Sequence, residues 1–194
     1  MTEINFQSLA MLAVLVLVPL SLAIFIIRRR RARSIAARMR SVSPYLLHDF
    51  LLPDGNDGEI HFEYALLTPS GIVVVDTKEV EGNVFGSDAM NEWTVIQNNQ
   101  RFTFRNPQRG LLDRVAAISA LTPETPAVGY IAFTDGARFS KGQPSHVIFF
   151  DTLISDLKKA MPDPRAPALD ALLPAWETLV AKATVKGVAQ ALVK

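Results

Sequence analysis

The chain has 194 residues, no cysteine and a formal net charge of +1. The absence of cysteine excludes disulfides and cysteine-zinc sites. The charge is divided unevenly: residues 28–40 carry seven arginines and no acid, whereas residues 41–194 carry 13 Lys+Arg and 18 Asp+Glu, a formal net of −5. This mildly acidic body argues against a large basic surface for nucleic acid.

The N-terminal part predicts a membrane anchor. After a short tail (1–7), residues 8–27 are uncharged and mostly apolar, and a helix of that length spans roughly 30 Å, the thickness of a bilayer core. A signal peptide is disfavoured, because no positive charge precedes the run and no small-residue cleavage site follows it. All nearby positive charge lies C-terminal to the run. The positive-inside rule therefore predicts a single-pass protein of the plasma (inner) membrane, with its N-terminus outside and its main domain cytoplasmic.

The basic segment 28–43 follows the predicted span. Its arginines at 28–33 are expected to contact lipid headgroups, in preference to serving as a DNA-binding arm.

Residues 44–194 predict one α/β domain with a central mixed sheet flanked by helices. The apolar stretch 72–75 indicates a strand covered on both faces. Residues 45–52 fit either a short helix or a strand, and Asp151 is a candidate N-cap. Strands are expected at 59–67, 72–78, 93–97, 101–105, 127–134 and 146–150, and helices at 34–43, about 107–121, 151–161 and 168–183.

The stretch 59–78 predicts a β-hairpin with a Thr-Pro-Ser-Gly turn at 68–71. If Leu67 pairs with Ile72, Glu63 lies opposite Asp76 and on the same face as Lys78. Two facing carboxylates repel each other, so a divalent cation between them would explain the pair. The alternative is a solvated hairpin face on which Lys78 is only a salt-bridge partner of an acid.

Glu63, followed by Asp76-Thr77-Lys78 and then by a helix, resembles the PD-(D/E)xK nuclease superfamily and, within it, the nuclease-related domain (NERD) family. The similarity covers about residues 45–121 and includes the run 59–78, Trp93 and Asn106-Pro107-Gln108. The resemblance implies a restriction-endonuclease-like fold and a bacterial source.

The resemblance also implies roles for individual residues. Glu63 and Asp76 would bind Mg²⁺ or Mn²⁺, Lys78 would orient the attacking water, and Gln108 would contribute near the site. Hard cations of this kind prefer carboxylate oxygens, and a lysine ammonium supplies a compact positive charge. The alternative for Gln108 is a role in capping the following helix.

Two functions follow from the resemblance. The first is metal-dependent hydrolysis of phosphodiester bonds in nucleic acid. The second is a catalytically degenerate domain that acts as a binding or scaffold module for protein partners at the membrane, because 33–43 has no acid where the family carries a glutamate. Four arginines could contact phosphate or belong to solvated surface: Arg101, Arg105, Arg109 and Arg114.

Overall fold

The computed structural model describes residues 6–55, 58–161 and 167–185. The chain forms two compact units, Met1–Arg38 and Met39–Lys194. Helix α1 (Phe6–Arg40) supplies the described part of the first unit.

The structure does not confirm the predicted transmembrane segment 8–27. The helix here is not confined to the apolar run, because α1 continues through the arginines to Arg40. Within 6–55, 58–161 and 167–185, no helix is both long enough and apolar enough to cross a membrane.

The second unit contains a six-stranded mixed sheet with the order β10-β1-β2-β3-β7-β9. The stretch 45–52, which fitted either a helix or a strand, forms a strand from Leu46 onward. β1 to β3 form an antiparallel meander, β7 runs parallel to β3, and β9 runs parallel to β7. The strands are β1 (Leu46–Pro53), β2 (Glu59–Thr68), β3 (Gly71–Lys78), β7 (Ala127–Phe133), β9 (Val147–Phe149) and β10 (Thr184–Val185).

A second, four-stranded sheet, which the sequence did not predict, has the order β6-β5-β4-β8. The chain leaves the first sheet at Gly82, which has φ +117° and whose N–H donates to the carbonyl of Gly136 at 2.9 Å. Only glycine adopts that conformation without strain. The strands are β4 (Gly82–Phe85), β5 (Glu92–Gln97), β6 (Gln100–Arg105) and β8 (Ala137–Arg138).

The predicted hairpin register is confirmed along most of the hairpin. Leu67 lies opposite Ile72, and the pairing runs from Thr68 with Gly71 to Tyr64 with Val75. The apolar strand β3 is buried on both faces, as its sequence predicted. This arrangement determines where the charged end of the hairpin, with Glu63, Asp76 and Lys78, leaves the core.

Helix α2 (Gln108–Leu121) packs against β7 and lies over the charged end of the hairpin. The helix lies close to β7, because a Cβ atom added at Gly129 of β7 would lie 2.8 Å from side-chain atoms of Leu111 and Val115 in α2. Trp93 and Trp176 are buried core residues, as expected.

Two helix predictions need correction. Asp151 is not the N-cap of α3 (Phe150–Ala160), because Phe149 holds that position and Asp151 lies in the first turn. The helix expected at 168–183 is divided into α4 (Pro167–Asp170) and α5 (Leu173–Lys182). Pro174 lacks an N–H and fits the first turn of a helix, so it starts a new one.

Candidate functional site

Glu63 lies just beyond the last paired residues of the hairpin. Its carboxylate accepts hydrogen bonds from the Thr77 backbone N–H, at 2.6 Å, and from the Thr77 hydroxyl. The side chain thus serves as an acceptor for the end of β3, and both of its oxygens have a donor. Thr77 was not foreseen as a partner, since strand alternation places its side chain on the opposite face from Asp76.

Asp76 is buried, with 7% of its surface exposed. Its Oδ2 forms an ion pair with Nη1 of Arg114 on α2 at 3.1 Å, and Nε of Arg114 donates to the His61 carbonyl at 2.5 Å. One guanidinium therefore joins α2 to both strands of the hairpin.

Arg114 could have been recognised from the sequence. It lies three residues after Leu111 and four before Ile118, and both of these are fully buried. Residues three and four apart share a helix face, so Arg114 points toward the sheet and needs an acidic partner there.

Burial raises the pKa of both acids above the ordinary range. For Asp76, burial is the main cause, and the charges of Arg114, Lys78 and His61 oppose it. For Glu63, burial again dominates; the Thr77 hydrogen bonds lower the pKa, Asp76 raises it and Lys78 lowers it. Glu63, Asp76 and Lys78 are thus near enough to influence one another electrostatically, and a cation beside them would stabilise the ionised acids.

An open cleft of about 750 Å³ borders this cluster. It lies between the end of β3, the hairpin β5–β6 and the first turns of α2. Its charged lining is balanced in number, with four basic side chains (Lys78, Arg105, Arg109 and Arg114) and four acidic ones (Asp76, Glu79, Glu81 and Asp113). Three of the four arginines singled out in the sequence therefore line one cleft with Asp76 and Lys78. Glu63 is not among the lining residues.

Gln108 is placed elsewhere. Its buried amide nitrogen donates to Asp88 Oδ1 at 2.6 Å and to the Ser145 carbonyl at 2.7 Å, and its oxygen accepts from Asn106 Nδ2 at 3.0 Å. Asn106 Oδ1 in turn accepts the backbone N–H of Gln108 at 2.9 Å. The structure therefore brings Asp76 and Lys78 together in the cleft and directs the Gln108 side chain into a network that joins two loops to the start of α2.

The carboxylates in and beside the cleft are those of Asp76, Glu79, Glu81 and Asp113 in its lining and that of Glu63 nearby. In the described part of the chain, no group of three or more His, Cys, Asp or Glu side chains is arranged to hold a metal ion.

Comparison with known proteins adds a family match. The sequence model of a family described as NERD, nuclease-related domain, matches residues 28–134, which include the whole charged cluster. The chain is also similar to an uncharacterized protein of Bacillus anthracis, with 23% identity over 116 residues that cover 57% of this chain and 55% of that protein. The chain thus spans about half the length of that relative. No match was found among the solved structures.

Proposed function

Because the chain belongs to the nuclease-related domain family, we propose that it hydrolyses phosphodiester bonds in nucleic acid with the help of Mg²⁺ or Mn²⁺. The observation that carries the proposal is the lining of the cleft. A buried acid, Asp76, shares it with Lys78 and with three arginines that phosphate groups can bind.

The carboxylates present fit a hard divalent cation. Each carboxylate can accept about four hydrogen bonds or metal contacts; Thr77 occupies two sites on Glu63, and Arg114 occupies one on Asp76. Mg²⁺ usually binds through one or two carboxylates and keeps several waters, so Asp76 and Glu63 would hold it. When bound, the ion would polarise the phosphate and lower the pKa of a coordinated water.

The chain's own residues would do the remaining work. Lys78, two residues after Asp76 on the same face of β3, would hold the attacking water with its ammonium group. Arg114 would hold the Asp76 carboxylate in place and offer the N–H groups of Nη2 to a phosphate oxygen. Arg105 and Arg109 would position the backbone of the nucleic acid along the cleft.

Metal-dependent cleavage by the purified full-length chain tests the proposal. Plasmid DNA and RNA are incubated with Mg²⁺, with Mn²⁺ or with EDTA, and Asp76→Asn and Lys78→Ala are compared with the exposed control variants Asp170→Asn and Lys158→Ala. We expect cleavage that EDTA abolishes, that both site variants lose by about 100-fold or more, and that both controls keep. Equal cleavage in all five proteins would refute the proposal.

A second function is favoured by the Asp76–Arg114 ion pair. The guanidinium already neutralises the central acid, as expected for a catalytically degenerate domain retained as a binding or scaffold module. In that case, the full-length protein would bind partners or nucleic acid equally well with EDTA and with Mg²⁺. None of the five proteins in the cleavage assay would cleave DNA or RNA. Binding that depends on the divalent ion would exclude this alternative.

A further inference from the structure

One face of the second sheet forms a wall of the cleft. Val95 and Gln97 alternate along β5, and Phe102 and Phe104 alternate along β6, with Val95 directly opposite Phe102. Alternate residues of paired strands share a face, and all four side chains line the cleft. The opposite side of the cleft carries Asp76, Lys78 and the arginines of α2.

The two phenylalanines on this wall have different surroundings. Phe104 packs edge-to-face on Trp93, with ring centroids 6.0 Å apart, and is part of the core. Phe102 lies on the edge strand with 50% of its surface exposed. Half of the Phe102 surface is therefore accessible, and a ligand in the cleft can contact it.

We propose that Phe102 is a stacking platform for an unpaired base, so that the preferred ligand of the cleft is single-stranded nucleic acid. The inference rests on the proposed function in that the ligand is a nucleic acid. Flat aromatic side chains beside basic groups are the means by which proteins hold single strands, since every base has a face that can stack. Here Arg109, in the first turn of α2, lines the same cleft and can bind a phosphate of the strand, and Arg105 borders the cleft at the end of β6.

The charge of the cleft favours this choice over a duplex. Duplex binding relies on neutralising many phosphates, but the four basic residues of the lining are matched by four acids. Contacts with bases must therefore supply more of the affinity. In a duplex the bases stack on each other and their faces are not available to Phe102.

The size of the cleft is also compatible with a single strand. A volume of about 750 Å³ lies within the range of pockets that enclose small ligands. A pocket of this size can hold a base and its sugar against Phe102.

Binding measured without catalysis tests the inference. Fluorescence anisotropy in EDTA is recorded for the full-length chain with a labelled single-stranded DNA, the same sequence as RNA, the matching duplex, and a strand of equal length whose central nucleotides are abasic. We expect the intact single strands to bind roughly 5- to 100-fold more tightly than the abasic strand, the range that one stacked base contributes. The duplex is expected to bind more weakly than either single strand.

Variants of Phe102 separate stacking from general apolar contact. Phe102→Ala and Phe102→Leu should lose the preference for intact over abasic strands, whereas Phe102→Trp should keep it. Ile96→Ala is the matched control, because Ile96 is a 42% exposed apolar residue on the other face of the same sheet. It should leave binding unchanged. Thermal unfolding of each variant shows whether the fold is retained.

Equal binding of intact and abasic strands would overturn the inference, and so would a Phe102→Ala variant that binds both like the parent protein. These results are independent of cleavage. Single-strand binding that depends on Phe102 but is not accompanied by hydrolysis would contradict only the proposed enzymatic activity. Metal-dependent hydrolysis with equal binding of duplex and single strand would contradict only the stacking platform.

Discussion

Replacing Arg114 with methionine removes the cation that faces Asp76 but keeps most of the side-chain length. The side chains of Arg114 and Asp76 are only 22% and 10% exposed. Removing one partner of a buried ion pair costs about 3–5 kcal/mol, and the partial exposure of Arg114 places this pair at the lower end. We therefore expect Arg114→Met to lower the free energy of unfolding by about 3 kcal/mol at pH 7, or roughly 6–12 °C in Tm for a domain of this size.

The pH dependence of that loss identifies its cause. The pKa of Asp76 is already raised in the folded protein by burial, so its ionised form destabilises the fold increasingly as the pH rises through that value. Without the guanidinium the folded pKa rises further. The stability of the variant should therefore be closest to that of the parent protein at pH values below the ordinary pKa range of aspartate. The difference in the free energy of unfolding between the two proteins should grow as the pH rises from the Asp76 pKa of the parent to that of the variant. It should be constant at pH values above both.

Urea unfolding in EDTA across this pH series measures the effect, with Arg109→Met as the control. Arg109 is exposed on the same helix, and its loss should change stability by less than about 0.5 kcal/mol. A loss for Arg114→Met that is the same at every pH would mean that the hydrogen bond to the His61 carbonyl, and not the Asp76 charge, is what the arginine contributes. A loss below about 1 kcal/mol at pH 7 would show that the pair behaves like an exposed salt bridge.

Three further changes test the supporting structure. Asn99→Gly should raise the Tm slightly, since Asn99 has φ +62° in the two-residue turn between β5 and β6 and glycine adopts that conformation more easily; an unchanged or lower Tm in a thermal scan would contradict the turn geometry. Gly86→Ala should destabilise the fold and alter the near-ultraviolet dichroism of Trp93, because the new Cβ would lie 2.4 Å from the indole ring; a native spectrum would show that the loop moves aside. Gln108→Leu should lower the free energy of unfolding by about 1–3 kcal/mol in urea, because it leaves the Ser145 carbonyl without the donor it has at 2.7 Å; an unchanged midpoint would mean that water replaces the amide.

The hairpin could be predicted because its determinants are local. Thr68, Pro69, Ser70 and Gly71 specify the turn, and the apolar residues on either side allow one register in which both strands are buried. Period-two alternation then places Asp76 and Lys78 on one face without further information. The pairing is confirmed as far as Tyr64 and Val75. One residue further, the Glu63 side chain accepts hydrogen bonds from Thr77, a partner that the alternation did not predict.

The second sheet and the position of Gln108 could not be predicted in the same way. The hairpin β5–β6 was recognised as two strands, but which sheet they join depends on the turn at Gly82 and on pairing with the distant strand β8. The sequence likewise placed Gln108 near the start of a helix. Its partner Ser145, thirty-seven residues away, is close only because β7 and β9 bring that loop back to the start of α2.

The two candidate functions differ in which group neutralises Asp76. In the structure that group is Arg114, on a helix that also contacts the His61 carbonyl and so cannot withdraw without losing two interactions. A divalent ion would have to share the carboxylate with the guanidinium, which is feasible because Oδ1 of Asp76 and Nη2 of Arg114 take no part in these two contacts. A phosphate that accepts from Nη2 would bring its own negative charge next to the ion. If the domain hydrolyses nucleic acid as proposed, Arg114 would therefore contact both the acid that holds the ion and the phosphate of a bound strand.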